Sequence, residues 1–460
     1  MNTKITTNKV KDLNSIESIE RLYHYKLNIH YLNHYLKKNY FYSLDSQFIK
    51  KFEEELISFF GEGSVAKVFD DKNRNYEENY ETFSCNYYIP YGKRIEPFLL
   101  KISVLLNEYN DSIKISFQDL SKNSNNLSKF LSKEYRYSEI FGNTFQGEGK
   151  YTGVNTIWYR SWGCNFNCNG FGQTNPYDPS TWKLDYQDID PSKYNSLEEL
   201  PVFKRGCDSS YSWSKKFHNL SRKGTPTEIV NELEKYLKNE FNPKGKFLHP
   251  RTKQYIHMAF TGGEPMLAQS SLIGILLEFF HRDNLPPFVT VETNGTIPLR
   301  EDLEFIIRFF YPHHSDESEF PTNITKLEVE KNDSYRKNNF NQKEFQREWF
   351  WSVSPKLSIS GEKWEDAIKP EVVKQYAKVS DNGQLKFVVD GSKKIWDEVE
   401  KAVDIYRDYD IDWDVWIMPV GATKEDQETI QAEISEEALK RGYYVAPRVH
   451  CWVFGNRIGK

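Results

Sequence analysis

The sequence predicts an α/β protein whose main part is a parallel sheet flanked by helices, with a small α+β unit before it. From about residue 136 onward, short apolar runs alternate with amphipathic stretches of helical periodicity, which is the pattern of a parallel sheet. Polar or glycine-rich motifs follow several of these apolar runs. The first 135 residues lack the alternation and carry no motif of evident chemistry.

Seven apolar runs are the predicted strands of the main part. They span residues 156–160, 255–260, 288–292, 349–353, 385–389, 413–418 and 443–449. Helices are predicted over 227–241 and over 424–441, where Thr423 is a candidate N-cap and Gly442 lies just past the end. The motifs follow the strands, at the carboxyl ends where parallel barrels place their sites, so we expect them to form one pocket.

Residues 1–135 are predicted to form an accessory or oligomerisation domain, with docking of substrate or partner as the alternative. Apolar side chains at helical spacing from Phe48 to Phe59 predict a helix. Residues 98–118 are predicted to form two strands around a turn at Asn110–Asp111.

Two segments interrupt the main domain, which is predicted to cover residues 136–460. Residues 169–206 contain few regular signals, and residues 311–348 are polar and charged. Both are interpreted as insertions, either lids or disordered loops.

The composition narrows the class of protein. The chain has 460 residues and a formal net charge of −5, so no broad basic surface recommends nucleic acid as a partner. No apolar run is long enough for a membrane span, and no signal-peptide pattern follows the first residues. With only five cysteines, the chain is expected in the reducing cytoplasm, where thiols stay free for metal.

Three cysteines form the most informative pattern. Cys164 and Cys168 lie four residues apart directly after a predicted strand, and Cys207 follows in the run GCDSSYSW. This spacing is poor for a structural disulfide but good for thiolates that converge on an iron–sulfur cluster. Three ligands would leave one iron of a four-iron cluster open to a substrate or cofactor, which points to catalysis.

A glycine-rich run, TGGEP, follows the second predicted strand. Gly262 and Gly263 allow backbone groups to approach a ligand closely, and Glu264 adds a carboxylate. Beside a three-cysteine loop, this run indicates a cluster that activates a nucleotide-like cofactor.

Several runs, in one order, make the chain resemble the radical S-adenosylmethionine superfamily and, within it, the 7-carboxy-7-deazaguanine synthase family. The resemblance covers about residues 137–460 apart from the two insertions. It implies a partial parallel (β/α) barrel of the radical S-adenosylmethionine type. The runs are EIFGNTFQGEG (139–149), WYRSWGCNFNC (158–168), CDSSYSW (207–213), TGGEPML, VETNGT, SVSPK, LKFVVD and VHCWVFGNRIG (449–459).

The chain departs from the superfamily at the third cysteine. The superfamily pattern would place it at position 171, which is Phe171. Either the third ligand is lost and the cluster is defective, or an insertion has moved it to Cys207. The second interpretation is favoured because Cys207 carries the family's Asp-Ser-x-Tyr-Ser-Trp tail, and loop-closure entropy grows slowly with length. Cys85 and Cys451 lie in no ligand-like run.

By resemblance, Cys164, Cys168 and Cys207 bind a 4Fe–4S cluster whose open iron takes S-adenosyl-L-methionine. Other positions would hold that cofactor and line the space between it and the substrate. They are Gly262, Gly263, Glu264, Glu292, Asn294, Ser354 and Lys356.

The resemblance also assigns the substrate side. Gln146 and Glu148 would read the pterin edge, Arg160 would grip the substrate carboxylate, and His450 would contact the substrate. Ser209 stands where the family often has a magnesium-binding threonine, which implies Mg²⁺ with Asp208 in support. Structural alternatives remain: Arg160 neutralising the cluster region, His450 as a core histidine and Glu148 capping a turn.

The implied reaction is a radical ring contraction of 6-carboxy-5,6,7,8-tetrahydropterin to 7-carboxy-7-deazaguanine with loss of ammonia, a carbon–nitrogen lyase reaction in deazapurine and queuosine biosynthesis. The expected partners are the pterin and an electron donor such as flavodoxin or ferredoxin, with neither membrane nor nucleic acid; homodimers are common in the family. The alternatives are a glycyl-radical activating enzyme, which acts on a protein, and a non-catalytic iron–sulfur regulatory or binding protein.

Overall fold

The protein is described by a computed structural model that divides it into two units, Met1–Lys129 and Phe130–Lys460. The residues described are 3–7, 66–69, 75–77, 80–89, 98–107, 112–119, 128–282, 284–311 and 347–459.

The described part of the first unit is a six-stranded sheet. Its strands are β1 (Thr3–Thr7), β2 (Ala66–Phe69), β3 (Asn75–Glu77), β4 (Tyr80–Ile89), β5 (Phe98–Asn107) and β6 (Ser112–Asp119). Their order is β1-β6-β5-β4-β2, with β3 also on β4. Pairing is antiparallel except between β1 and β6. The two strands predicted in residues 98–118 are confirmed, whereas the predicted helix and turn lie outside the described residues.

The second unit is built on a nine-stranded, mostly parallel sheet. Its strands are β7 (Tyr135–Phe145), β8 (Asn155–Ser161), β9 (Arg222–Gly224), β10 (His257–Gly262), β11 (Phe288–Thr293), β12 (Glu348–Val353), β13 (Gly383–Val389), β14 (Asp414–Pro419) and β15 (Tyr444–Val445). The order is β15-β14-β13-β12-β11-β10-β8-β7-β9. The seven strands from β15 to β8 are mutually parallel, and β7 pairs antiparallel with β8 and β9.

The parallel part consists of the seven strands predicted from the apolar runs. A mixed α/β fold with a mainly parallel sheet is therefore confirmed. The two end strands of this sheet, β15 and β9, do not pair with each other, so the sheet is not a closed barrel. Its predicted partial-barrel form stays a prediction.

The described residues contain ten α-helices, of which the first precedes the sheet, the last follows it and the other eight lie between successive parallel strands. They are α1 (Ser128–Leu131), α2 (Asp185–Asp188), α3 (Pro226–Leu237), α4 (Gln269–His281), α5 (Glu301–Phe310), α6 (Trp364–Ala367), α7 (Pro370–Ala377), α8 (Lys393–Asp408), α9 (Lys424–Lys440) and α10 (Val449–Phe454). Thr423 caps α9 in a capping box with Asp426, as its sequence position predicts. The helix predicted over 227–241 ends earlier, at Leu237. No helix in the described part of the chain is long and apolar enough to cross a membrane.

The core lies on both faces of the parallel strands. In β12, Trp349, Phe350 and Trp351 are all buried, as expected where helices cover both faces of a parallel sheet. The Trp351 ring stacks on Tyr376 of α7 at a centroid distance of 4.4 Å. Because the aliphatic content is modest, aromatic side chains supply much of the buried apolar area.

The strand predicted over 443–449 is wrong in extent. Pairing with β14 stops after Val445, and Val449 is the first residue of α10. Pro447 lies between them and has no N–H to donate to a sheet ladder. The chain therefore turns at Pro447, and a helix that contains His450 begins at Val449, where the strand was predicted to continue.

The segment 169–206 is a packed structure of short turns. Leu197, Leu200 and Phe203 are buried in one cluster with Tyr211 and Phe217, which follow Cys207 in the chain. The Phe203 ring stacks on Phe217 at a centroid distance of 5.9 Å. The segment 311–348 is described only at its ends, where Tyr311 is buried and residue 348 begins β12.

We predict that Phe203→Ala destabilises the 169–206 segment. Phe203 is 1% exposed, and truncating a buried phenylalanine costs about 3–5 kcal/mol. The free energy of unfolding in urea should fall, and limited proteolysis should cut within residues 169–206. Phe241→Ala removes the same ring from a site that is 59% exposed and serves as the control. Equal protease resistance of the two variants would contradict the packing described above.

Candidate active site

One large cavity lies at the carboxyl ends of the parallel strands. Its volume is about 280 Å³, and it is lined by residues at or after the ends of β8, β10, β11, β12 and β14. Val202 and Lys204 of the 169–206 segment form part of the wall, and Asn456 to Gly459 form another part. The cavity thus occupies the position that the order of motifs in the sequence predicts.

All the residues predicted for the site line this cavity, with the exception of Glu264. They are Gln146, Glu148, Arg160, Cys164, Cys168, Cys207, Ser209, Gly262, Gly263, Glu292, Asn294, Ser354, Lys356 and His450.

The loop that carries the first two cysteines is held by side chains from elsewhere in the fold. One oxygen of Glu362 accepts hydrogen bonds from the backbone N–H groups of Asn167 and Cys168, at 2.9 and 2.7 Å. The N–H of Phe166 donates to the Cys164 sulfur at 3.4 Å. Cys168 has a φ of 50°, a left-handed conformation in which this side chain faces the cavity. The thiols are therefore positioned by the loop's backbone.

Cys207 returns to the same place as the other two cysteines. Cys164, Cys207 and Phe171 pack against one small cluster that contains Cys168. The Gly206 N–H donates to the Phe171 carbonyl at 2.8 Å, so the two ends of the segment from Phe171 to Gly206 are hydrogen-bonded to each other. The structure brings the three predicted cluster cysteines together.

The thiols are protonated in the protein alone. Burial raises the pKa of Cys164 to about 12 and also raises the pKa values of Cys168 and Cys207, while the charge of Lys356 acts in the opposite direction on all three. A bound cation would reverse this preference, since ligating thiols are deprotonated.

In the described part of the chain, no three His, Cys, Asp or Glu side chains converge on a point for a single metal ion. A four-iron cluster does not need such a point, because each thiolate binds a different iron. Three thiols that line one cavity form a donor set of the kind that iron–sulfur clusters use.

Glu264 holds loops together behind the cavity. Its carboxylate is fully buried and accepts hydrogen bonds from the Met266 N–H, the Thr293 hydroxyl and the Asn294 N–H at 2.7 to 2.9 Å. Burial raises the pKa of Glu264, and these hydrogen bonds oppose the rise. The contacts assign Glu264 to joining the TGGEP and TNGT loops, whereas its predicted contact with the cofactor stays a prediction.

Gly263 is required by the cysteine loop. A Cβ at this position would lie 2.7 Å from the Cys164 Cβ and would also collide with the Gly163 carbonyl. The Glu264 N–H donates to that carbonyl at 2.8 Å. The second glycine of TGGEP therefore permits the close approach of two loops, in addition to lining the cavity.

The FQGEG loop contacts β11 directly, at the residue just before the TNGT loop. Gln146 Nε2 donates to Glu292 Oε1 at 3.1 Å, and Thr261 donates to the other oxygen at 2.9 Å. The predicted substrate-reading amide and the predicted cofactor-lining carboxylate are therefore neighbours.

Glu148 is enclosed by cations that the sequence analysis did not select. Lys386 of β13 contacts one oxygen, and Arg448 Nε donates to the other at 2.9 Å. Burial alone would raise the pKa of Glu148, but these two charges outweigh it and hold the pKa well below its usual range. Lys386 interrupts the apolar run LKFVVD, and a lysine in a buried strand is the signal that could have revealed it.

Arg160 is paired with a buried carboxylate. Its Nε donates to Glu139 Oε1 at 2.6 Å, and Tyr211 donates to the same oxygen at 2.9 Å. The other oxygen of Glu139 has no hydrogen-bond partner among the residues that the structure describes. An Arg160 terminal nitrogen reaches the Ser209 hydroxyl at 3.5 Å. Arg160 therefore lines the cavity already oriented by Glu139, a residue that the sequence analysis also passed over.

The Asp208–Ser209 corner does not resemble a magnesium site. Ser209 donates to Asp208 Oδ1 at 3.2 Å, and Arg448 donates to Oδ2 at 2.7 Å. Both carboxylate oxygens thus have partners, and guanidinium groups approach from two sides. These contacts do not support the predicted magnesium ligand.

His450 packs tightly on the FQGEG loop. A Cβ on Gly147 would overlap the imidazole, so only glycine allows this contact. Burial, followed by the charge of Arg448, lowers the pKa of His450 to about 4. The ring is therefore neutral near neutral pH and can both donate and accept hydrogen bonds.

We predict that His450→Gln weakens the acid sensitivity of folding. The pKa of His450 is about 4 in the folded protein, against 6.5 for an ordinary histidine, so the unfolded state binds more protons between these values. Stability is therefore lost as pH falls through this window, by about 2 kcal/mol at about pH 5. Urea unfolding at about pH 7 and about pH 5 should show a smaller difference for His450→Gln. The exposed His218→Gln control should match the parent, and an unchanged difference in His450→Gln would refute the assignment.

Comparison with known proteins gives one distant sequence relative. No protein-family profile matches the chain. The chain is 23% identical over 318 residues to a 7-carboxy-7-deazaguanine synthase from Rhodopirellula baltica, covering 68% of this chain and 84% of that protein. The crystal structure of QueE from Escherichia coli aligns over 71% of this chain and 100% of that chain, with 15% identity and a TM-score of 0.37. The sequence similarity supports the resemblance to the 7-carboxy-7-deazaguanine synthase family.

Proposed function

We propose that this chain is a radical S-adenosylmethionine enzyme that converts 6-carboxy-5,6,7,8-tetrahydropterin to 7-carboxy-7-deazaguanine, releasing ammonia. The observation that carries the proposal is the shared cavity, which brings three cysteine thiols, the FQGEG loop and the C-terminal histidine to one space. The distant 7-carboxy-7-deazaguanine synthase relative supports the same reaction class.

The cysteine side of the cavity suits a 4Fe–4S cluster. Cys164, Cys168 and Cys207 would hold three irons, and the fourth would remain for S-adenosylmethionine. Gly262, Asn294 and other predicted positions on this side would hold the cofactor, including Ser354, whose hydroxyl accepts from Lys356 Nζ at 3.2 Å. When bound, the cluster and S-adenosylmethionine supply the radical chemistry, and the chain positions the reactants and excludes water.

The opposite side of the cavity suits a pterin. The Glu148 carboxylate is kept ionised by Lys386 and Arg448, so it can only accept hydrogen bonds, as an aminopyrimidine edge requires. Gln146 offers both a donor and an acceptor beside it. His450 is neutral and contacts the same loop. These groups would orient the ring, and Arg160 would donate to the substrate carboxylate.

The cavity is partly open, but the residues that wall it favour a small molecule over the alternative of a glycyl-radical protein partner. Residues of the 169–206 segment and of the chain's last turn wall the space. A flexible protein segment would need an open groove in their place. We further propose flavodoxin or ferredoxin as the electron donor, because the cluster has to be reduced. We also propose a cytoplasmic location, because thiols stay free for metal in a reducing compartment.

The proposed reaction predicts a defined product. Protein reconstituted with iron and sulfide without oxygen, then reduced, should convert the carboxytetrahydropterin to 7-carboxy-7-deazaguanine with S-adenosylmethionine present, as measured by mass spectrometry. Formation of 5′-deoxyadenosine without this product would indicate another substrate. Absence of both cluster and cleavage would favour the non-catalytic binding protein.

The cysteine assignment predicts different behaviour for two cysteine-to-serine variants. Cys207→Ser should lose the intact cluster, measured by iron content and by the electron paramagnetic resonance of the reduced protein. Cys451→Ser is the matched control, because this buried thiol faces the Ala422 carbonyl at 3.7 Å and lines no part of the cavity. Full cluster content in Cys207→Ser would rule out Cys207 as a ligand.

A further inference from the structure

Arg448 joins three loops at one corner of the cavity. Its Nε donates to Glu148 at 2.9 Å, one terminal nitrogen donates to the Gly421 carbonyl at 2.8 Å, and the other donates to Asp208 at 2.7 Å. The side chain is 11% exposed, and it lines the cavity. The guanidinium therefore bridges the FQGEG loop and the segment that follows the third cysteine.

This corner is where the sequence predicts a divalent cation at Ser209. Magnesium demands near-octahedral oxygen coordination and usually takes one or two carboxylates together with water and substrate oxygens. Each oxygen of Asp208 already accepts a hydrogen bond. Each oxygen of Glu148 also has a cationic partner. A metal at this corner would therefore compete with Arg448 for an oxygen of each carboxylate.

The charges around the corner also oppose a divalent ion. Arg160 reaches the Ser209 hydroxyl at 3.5 Å, and Arg448 contacts the neighbouring Asp208 carboxylate. A magnesium ion on this hydroxyl would lie close to the charges of two largely buried guanidinium groups, which repel it. Displacing Arg448 would leave its charge buried without its two carboxylate partners, a cost of several kcal/mol.

We propose that Arg448 takes the place of the divalent cation in this chain, so that a carboxylate-bearing pterin binds without magnesium. Arg448 and Lys386 together balance the charges of Asp208 and Glu148. Of the five N–H groups of the Arg448 guanidinium, three are donated to Glu148, Gly421 and Asp208, and a terminal nitrogen lies 3.4 Å from His450 Nε2, which leaves a donor for a bound carboxylate. Arg160 adds a second guanidinium at the same corner. A carboxylate bound there receives charge-assisted hydrogen bonds from the protein. The identity of the ligand rests on the proposed function, whereas the inference that this corner binds no divalent cation does not.

Two measurements on the reconstituted full-length protein test this inference. Mn²⁺ alone, followed by electron paramagnetic resonance, reports on cation binding. Fluorescence of 6-carboxypterin, a stable oxidised analogue, reports on ligand binding with and without millimolar Mg²⁺. The parent protein should bind no stoichiometric Mn²⁺ at this corner, and its affinity for 6-carboxypterin should change by less than about twofold with Mg²⁺.

Arg448→Gln should reverse both results. With the guanidinium gone, Asp208 and Glu148 regain free oxygens, so the variant should bind Mn²⁺. Its affinity for 6-carboxypterin should fall about tenfold or more and recover in part with Mg²⁺. Arg251→Gln removes an exposed arginine outside the cavity and should behave like the parent.

The outcomes separate the two proposals. Stoichiometric Mn²⁺ binding by the parent that Asp208→Asn abolishes, or a tenfold gain in parent affinity with Mg²⁺, would overturn the role of Arg448. Failure of 6-carboxypterin to bind under any condition would count against the proposed substrate, and the Mn²⁺ measurement would still decide the inference. The parent measurements need no variant, so a folding defect in Arg448→Gln does not affect them.

Discussion

The buried carboxylate of Glu148 is the constraint that organises the substrate side of this molecule. An isolated ionised carboxylate in such a place would cost more than folding can supply. Lys386 and Arg448 contact its two oxygens, and they come from a central strand and from the end of the chain. The FQGEG loop, β13 and the C-terminal helix must therefore assemble together. Because the ionised Glu148 carboxylate needs both cations, its burial fixes three distant segments around one cavity.

The cysteine side is organised by a second buried carboxylate with different chemistry. Glu264 accepts hydrogen bonds from neutral donors, the described residues place no ion-pair partner on it, and burial raises its pKa. It joins the loops after β10 and β11, and its own N–H holds the Gly163 carbonyl beside the cysteines. The cavity therefore has one side ordered by ion pairs, which suits a polar ring, and one ordered by backbone donors, which suits a cluster.

The sequence predicted the parallel sheet well because each strand is a short apolar run followed by a motif. It predicted the end of the chain poorly, since Pro447 and the helix that presents His450 follow an apolar run that resembles the others. Lys386 and Arg448 escaped selection for a related reason. A lysine inside an apolar run signals a buried charge but does not name its partner. Lys386 and Arg448 gain their role only because folding places Glu148 between them.

Cys207 is far from Cys164 and Cys168 in the sequence but packs against the same cluster in the structure. The chain leaves the cysteine loop at Phe171 and returns at Gly206, where the two backbones are hydrogen-bonded at 2.8 Å. The intervening segment packs Phe203 into an apolar cluster shared with Tyr211 and Phe217, which follow Cys207. Its ends are hydrogen-bonded and its apolar side chains are buried, and loop-closure entropy grows only slowly with length. Cys207 therefore lies near Phe171, which occupies the position of the third cysteine in the superfamily pattern that the sequence resembles.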